Sequence, residues 1–205
     1  YGIFVDHGLM REGEVDELRT ILDIPGIEYK VVDARERFLN KLKGVVDGVA
    51  KRKIIGEEFI RVFEDEARLI GADYLIQGTI YPDFIESGGS RHSSIIKPHH
   101  NVGGIPADVK FKEILNPLIQ LYKEEVRELA RKLGLPRSIT ERQPAPGPSL
   151  AVRITGEVTE EKLHMLRIAD KIVRNELDIL NPRPSQYFAY LLDTQVTGVK
   201  GDARK

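Results

Sequence analysis

Apolar residues follow two rhythms that alternate through the first half of this chain. Residues 1–6 form an apolar run of strand length around Ile3, Phe4 and Val5, and residues 12–22 then take up a helical period. Residues 28–32 return to strand and residues 35–42 to helix, a βαβ rhythm that predicts a parallel sheet with helices packed across it. A long helix is predicted over residues 51–70, because Ile55, Phe59, Val62, Phe63, Ala67 and Ile70 recur at three- and four-residue spacing on one face. Gly71 is placed to stop it. Tyr74, Leu75 and Ile76 form the next strand and open into Gln77, Gly78 and Thr79. Ligands of doubly wound sheets collect at such carboxyl ends of strands, which puts residues 77–79 at an expected site.

The pattern lapses from residue 81 to residue 107, and so long an aperiodic stretch reads as a lid or binding loop. After Pro117 a helix is expected to run to Leu133, with Leu118, Leu121, Val126, Leu129 and Leu133 inward and Gly134 and Pro136 closing it. Pro144, Pro146, Gly147 and Pro148 punctuate the chain most densely, so the boundary between two parts is drawn there: residues 1–148 and residues 149–205. The second part is expected to open with a strand over residues 150–154. A helix capped by Thr159 follows, with Val158 and Leu163 set as a hydrophobic staple, and runs to about Leu180. Its stripe of Leu163, Leu166, Ala169, Val173 and Leu177, with Met165, Ile168 and Ile172 beside it, is wider than one small sheet needs to cover, and a homodimer through this part is expected.

Composition narrows the classes. The 205 residues carry 31 Lys and Arg against 32 Asp and Glu, so no global field draws the chain to nucleic acid or to an anionic membrane. No apolar run approaches the roughly 20 residues of a membrane span. The absence of cysteine excludes a thiolate nucleophile and a Cys-based zinc site, and it fits a reducing compartment, so a cytoplasmic setting is expected. The opening at Tyr1 inside a strand and the Gly-rich basic close lead to the expectation that both ends are incomplete.

Candidate chemistry gathers in a few segments. Lys97, His99, His100 and Asn101 stand beside Gly103 and Gly104, a composition suited to a phosphate-gripping lid and equally to a solvated loop. Asp83 and Glu86, three residues apart beyond a strand end, suit magnesium held against nucleotide phosphates, or serve as a capping acid and a solvated acid. Arg11 and Lys123 are candidates to complete an anion site, or are an exposed helix-start residue and one of a solvated face. The cluster Lys51, Arg52 and Lys53 reads as a solvated helix start. No dinucleotide fingerprint, Walker loop or zinc-ligand spacing is present.

Four segments in order, KRKIIGEEFI from Lys51, QGTIYPDFIES from Gln77, IKPHHNVGG from Ile96 and RQPAPGPSLAVRITGEVT from Arg142, resemble the GMP synthase family, and the likeness spans nearly the whole chain. The resemblance implies an α/β, adenine nucleotide alpha-hydrolase-like fold with a doubly wound parallel sheet, of ATP-pyrophosphatase type, followed by a small α+β C-terminal dimerisation domain. A stand-alone archaeal-type subunit is the preferred variant. It further implies that ATP, with Mg2+, adenylylates xanthosine monophosphate (XMP) at O2, and that ammonia from a glutamine amidotransferase subunit or domain then displaces AMP to give GMP. On that resemblance Val5, Asp6, Gly78 and Arg11 lie against ATP. Asp83, Glu86, Lys97 and Lys123 serve adenylyl transfer, with Asp83 and Glu86 at the metal, and His99, His100, Asn101, Arg142, Gln143 and Arg153 lie toward XMP.

The family's SGGVDSS loop is expected before Tyr1 and its KPPATIEWE region after Lys205. Pro98 stands where the family has Ser, Ala145 and Ser149 replace Phe and Gly of PFPGPGL, and Asn116 replaces an acid. The rival readings are an ATP-pyrophosphatase acting on another substrate, such as an NAD synthetase or a tRNA-thiolating ligase, and a non-catalytic dimeric relative.

Overall fold

The computed structural model describes residues 1–21, 26–86, 110–143, 149–182, 184–194, 199–200 and 203–204. The predicted βαβ opening is present. Strand β1 (Gly2–Asp6) pairs in parallel with β2 (Tyr29–Asp33), with Asp6 opposite Asp33 at their carboxyl ends, and α1 (Glu14–Ile21) lies between them in the chain. Helix α2 (Arg35–Leu42) covers the predicted residues and buries Phe38 and Leu42.

Helix α3 (Gly48–Ile70) starts three residues before the predicted onset, because the Asp47 carboxylate accepts from Ala50 N at 2.8 Å and caps the first turn. It ends at Gly71, whose φ of 69° is left-handed and whose N–H bonds Ala67 O. Lys51 overturns its reading as part of a solvated start: it is 1% exposed, and its Nζ donates to the carbonyls of Ile154 and Gly156, each at 2.7 Å. Burial, with Lys162 nearby, lowers its pKa, and Asp47 opposes this.

A second parallel pair joins β3 (Tyr74–Ile76) to β4 (Glu113–Leu115). The stretch expected to be a loop from residue 81 begins instead with a short helix, α4 (Tyr81–Glu86), and the rest of it lies outside the described residues. The helix expected after Pro117 starts later. Residues 117–120 form a turn and α5 runs over Lys123–Lys132, its first turn closed by Glu125, which accepts from Tyr122 N at 2.7 Å. Leu129 and Leu133 are exposed rather than inward, and α5 has no buried residue. A one-turn helix, α6 (Arg137–Thr140), follows.

In place of the strand expected over residues 150–154 stands a 3-10 helix, Ser149–Arg153, followed by a single bridge from Ile154 to Leu191. Helix α7 (Glu160–Asp178) is capped by Thr159, which accepts from Lys162 N at 3.2 Å. Its inner stripe is Leu163, Leu166 and Asp170, with Val173 and Leu177 half-buried; Ala169 is exposed, so a carboxylate occupies the stripe position assigned to it. A small antiparallel pair, β5 (Val199–Lys200) and β6 (Ala203–Arg204), lies at the end.

The two parts share one core. Val5, Leu9, Phe38, Leu42, Ile55 and Val62 pack in the same cluster as Leu150, Ala151, Ile154, Val158, Leu163 and Leu166. Burial at this scale is what fixes α7 and the 3-10 helix over the carboxyl ends of β1 and β2.

Candidate functional site

Residues beyond the carboxyl end of β1 leave the sheet through a tight turn. Asp6 accepts from Gly8 N at 3.0 Å, and His7 Nδ1 accepts from Leu9 N at 3.0 Å. The φ of 70° at Gly8, with Arg35 packed where a Cβ would stand, makes glycine the residue that fits there. His7 is buried against the rings of Phe38 and Phe59. That burial lowers its pKa to about 4, with Arg167 adding to the effect and Asp6 and Glu14 opposing it.

Helix α7 reaches back over this turn. Arg167 donates to the carbonyls of Gly8 and Met10, the latter at 3.0 Å, and Arg174 donates to Glu12 O at 3.4 Å. Leu150 N donates to Leu9 O at 3.0 Å, so the 3-10 helix grips the same turn.

Two buried carboxylates each hold two arginines beside it. Glu14 accepts from Arg11 Nη2 at 3.2 Å and from Arg142 Nη1 at 3.1 Å. Asp170, 1% exposed, accepts from Arg153 Nη1 at 3.0 Å and from Arg174 Nε at 3.1 Å. Burial alone would push the Glu14 carboxyl up, but its hydrogen bonds and ion pair with Arg11, with Arg142 behind them, hold it below the ordinary value. Burial lowers the Arg153 pKa; Asp170 and Glu14 oppose that, and Arg11 and Arg174 add to it. The Arg153 guanidinium lies 4.7 Å from the centroid of the Phe188 ring.

The structure therefore brings Arg11, Arg142 and Arg153 into one cluster beyond β1, and Gln143, next to Arg142 in the chain, is buried with its amide nitrogen donating to Tyr187 O at 2.6 Å. Arg11 is buried and is not an exposed helix-start residue. Its Nε is buried with no hydrogen-bond partner among the described residues. An open cavity of about 680 Å3 adjoins the turn, lined by Asp6, Gly8, Arg11, Arg19, His164 and Arg167 among others.

Gly78, Asp83 and Lys123 form a second corner, beyond β3 and β4. Gln77 N donates to Leu115 O at 2.9 Å and Tyr81 N to Leu121 O at 3.0 Å, while the rings of Tyr81 and Tyr122 meet edge-on at 5.1 Å. Those contacts set the first turns of α4 and α5 side by side, with Asp83 and Lys123 exposed on them. Glu86 closes α4 three residues after Asp83. Lys97, His99, His100 and Asn101 lie outside the described residues.

Sequence reasoning missed Glu14 and Asp170 as partners of the candidate arginines. Asp170 left a legible signal, an acid at the stripe spacing of Leu163, Leu166 and Val173.

Comparison with known proteins adds the decisive observation. The chain is 55% identical to "GMP synthase [glutamine-hydrolyzing]" of Treponema denticola over 98% of its own length, covering 39% of that protein. It is 53% identical to the protein of that name from Finegoldia magna, again over 98% of the chain and 40% of the relative. It is 54% identical to a glutamine-hydrolyzing GMP synthase subunit of Archaeoglobus fulgidus, with 98% of the chain and 63% of the relative covered. Over nearly its whole length the chain is similar to proteins named GMP synthase. It spans about two fifths of the first two relatives and less than two thirds of the third. The family model described as NAD synthase matches residues 111–176, which run from β4 through most of α7. The α/β architecture with its parallel strand pairs fits a fold of the ATP-pyrophosphatase type.

Proposed function

We propose that the protein carrying this chain is an ATP-dependent carbon–nitrogen ligase that makes GMP. In the first step the xanthine O2 of XMP attacks the α-phosphorus of ATP, and pyrophosphate leaves with the electron pair of the broken bond. Ammonia then attacks C2, AMP departs from it, and the nitrogen loses its extra proton. Such chemistry asks the protein mainly for positioning and for charge neutralisation around phosphorus. The observation that carries this reading is the cluster of Arg11, Arg142 and Arg153 at the carboxyl ends of β1 and β2, in a chain about half identical to proteins named GMP synthase.

Arg142, Gln143 and Arg153, with His99, His100 and Asn101, are assigned to XMP. Val5, Asp6, Gly78 and Arg11 are assigned to ATP, and Lys97 and Lys123 to the transferring phosphoryl group. Magnesium suits the donor set at the second corner, since Asp83 and Glu86 are hard oxygen ligands three residues apart on α4 and this ion takes one or two carboxylates beside phosphate. Bound there, it would neutralise charge on the nucleotide phosphates. Ammonia would come from a glutamine amidotransferase subunit or domain in a cytoplasmic enzyme. A homodimer through α7 is part of the same reading, supported by the exposure of Met165, Ile168 and Ile172 on one side of that helix. Sedimentation of the full-length protein as a monomer would remove the dimer from it.

The test of the activity is direct. Full-length protein supplied with ATP, magnesium, ammonia and XMP should release pyrophosphate and form GMP, and nicotinate adenine dinucleotide in place of XMP should not turn over. Turnover of the dinucleotide with no GMP from XMP would transfer the chain to the NAD synthetase reading.

A further inference from the structure

We infer that Glu14 and Asp170 are positioning residues that pre-orient the arginine cluster for the phosphate group of the substrate nucleotide monophosphate. This rests on the reading of Arg142 and Arg153 as XMP ligands and of Arg11 as an ATP ligand. Neither carboxylate is assigned a part in the chemistry. Each stands behind the arginines, buried to more than nine-tenths.

The geometry divides the labour. Asp170 holds Arg153 through Nη1 alone, at 3.0 Å, so the hydrogen bond fixes the guanidinium without using all of its five donors. Phe188 lies against the guanidinium of Arg153 and limits its rotation. The other oxygen of Asp170 takes Arg174, which in turn holds Glu12 O and so ties α7 to the turn that carries Arg11. Glu14 then joins Arg11 to Arg142, which lies 128 residues beyond Glu14 in the chain. On the proposed assignments Glu14 is the point where the ATP side and the XMP side share one anchor.

Charge says what the cluster awaits. Four guanidinium groups surround two carboxylates, so two positive charges are in surplus, carried by the more exposed Arg142 and Arg174 at the rim of the buried Arg11–Glu14 and Arg153–Asp170 pairs, where an anion from solvent can reach them. The buried Arg11 Nε, with no acceptor among the described residues, points the same way, because orphaned buried donors are rare and a ligand oxygen is one way to satisfy them. Long side chains fixed before the ligand arrives spare binding the cost of ordering them.

The experiment is steady-state kinetics of the full-length enzyme with Asp170→Asn and Glu14→Gln, alongside thermal melts. Asp170→Asn should raise KM for XMP at least tenfold and leave KM for ATP within about twofold of wild type, whereas Glu14→Gln should raise both. Asp170→Glu should restore part of the XMP affinity. Folded variants with unchanged KM for XMP, or with a loss confined to kcat, would overturn the inference while leaving the activity in place. Should Asp170→Asn fail to fold, Glu14→Gln decides alone; if neither folds, the two acids are structural and the inference falls. A wild type that makes no GMP removes the underlying reading, a result distinct from unaffected variants.

Discussion

The two corners that carry the candidate residues are built in opposite ways. Beyond β1 and β2, the turn through His7 and Leu9 is gripped by Arg167, Arg174 and Leu150 N, and Arg11, Arg142 and Arg153 are clasped by buried acids. Beyond β3 and β4, Tyr74, Ile76, Leu115, Tyr122, Leu129 and Leu133 are all exposed, and Asp83 and Lys123 stand in the open. Pre-organisation by long-range hydrogen bonds marks the first corner, and local contacts such as Tyr81 on Tyr122 mark the second. Local opening follows sparse burial, so the first corner should hold its shape when the second does not.

The widest separation should appear in paired truncations. Leu166, 1% exposed on the inner face of α7, should cost about 2–5 kcal/mol of stability as Leu166→Ala, because both transfer energy and a cavity are at stake. Leu133 is 71% exposed, and Leu133→Ala should stay within about 0.5 kcal/mol. Chemical denaturation of the two variants measures both, and equal losses would erase the contrast between the corners.

Acid should also attack the first corner selectively. His7 has a folded pKa of about 4 against an ordinary 6.5, so the unfolded chain binds more protons across that window. The sign is that stability is full above about pH 6.5 and declines as pH falls toward 4, by roughly 3 kcal/mol in all for a shift of this size. His7→Asn keeps a side-chain acceptor for Leu9 N but cannot titrate. Denaturation midpoints from pH 7 to 4.5 should therefore slope less in that variant than in wild type, and parallel slopes would clear His7 of the effect.

What the sequence disclosed divides along the same line. Helices α2, α3 and α7 were legible because each is long enough for its apolar period to repeat, and Thr159 and Gly71 marked ends correctly through local cap chemistry. Helix α4 has six residues and β4 three, too few to show a period, and the pairing of β4 with β3 joins residues nearly forty apart. The candidate arginines could be named from the family resemblance, but not their anchors. Lys51 illustrates the reason: it sits in a cluster of three basic residues whose neighbours stay exposed, and it is buried only because the carbonyls of Ile154 and Gly156, more than a hundred residues away, come to its ammonium.

The smallest effect concerns a departure from the family pattern. Ser149 stands where PFPGPGL of the family has glycine, and its φ of 52° is left-handed, a conformation that strains a residue with a Cβ by about 1–2 kcal/mol. The backbone has little room to relax, since Leu150 N is bonded to Leu9 O and Ser149 itself is buried. Glycine would remove the strain but give the unfolded chain more freedom, a loss of about 0.4–1 kcal/mol. Ser149→Gly should therefore stabilise the protein by about 0.5–1 kcal/mol, with the denaturation midpoint moving up. Gly78, in the open corner, is the matching control: it has no left-handed φ, and among the described residues no atom stands within 4 Å of where a Cβ would be. Gly78→Ala should thus leave stability unchanged or slightly raised while weakening ATP on the proposed assignment. A destabilised Ser149→Gly would mean that the left-handed serine carries no net strain, and the pinned corner would then be relaxed as well as rigid.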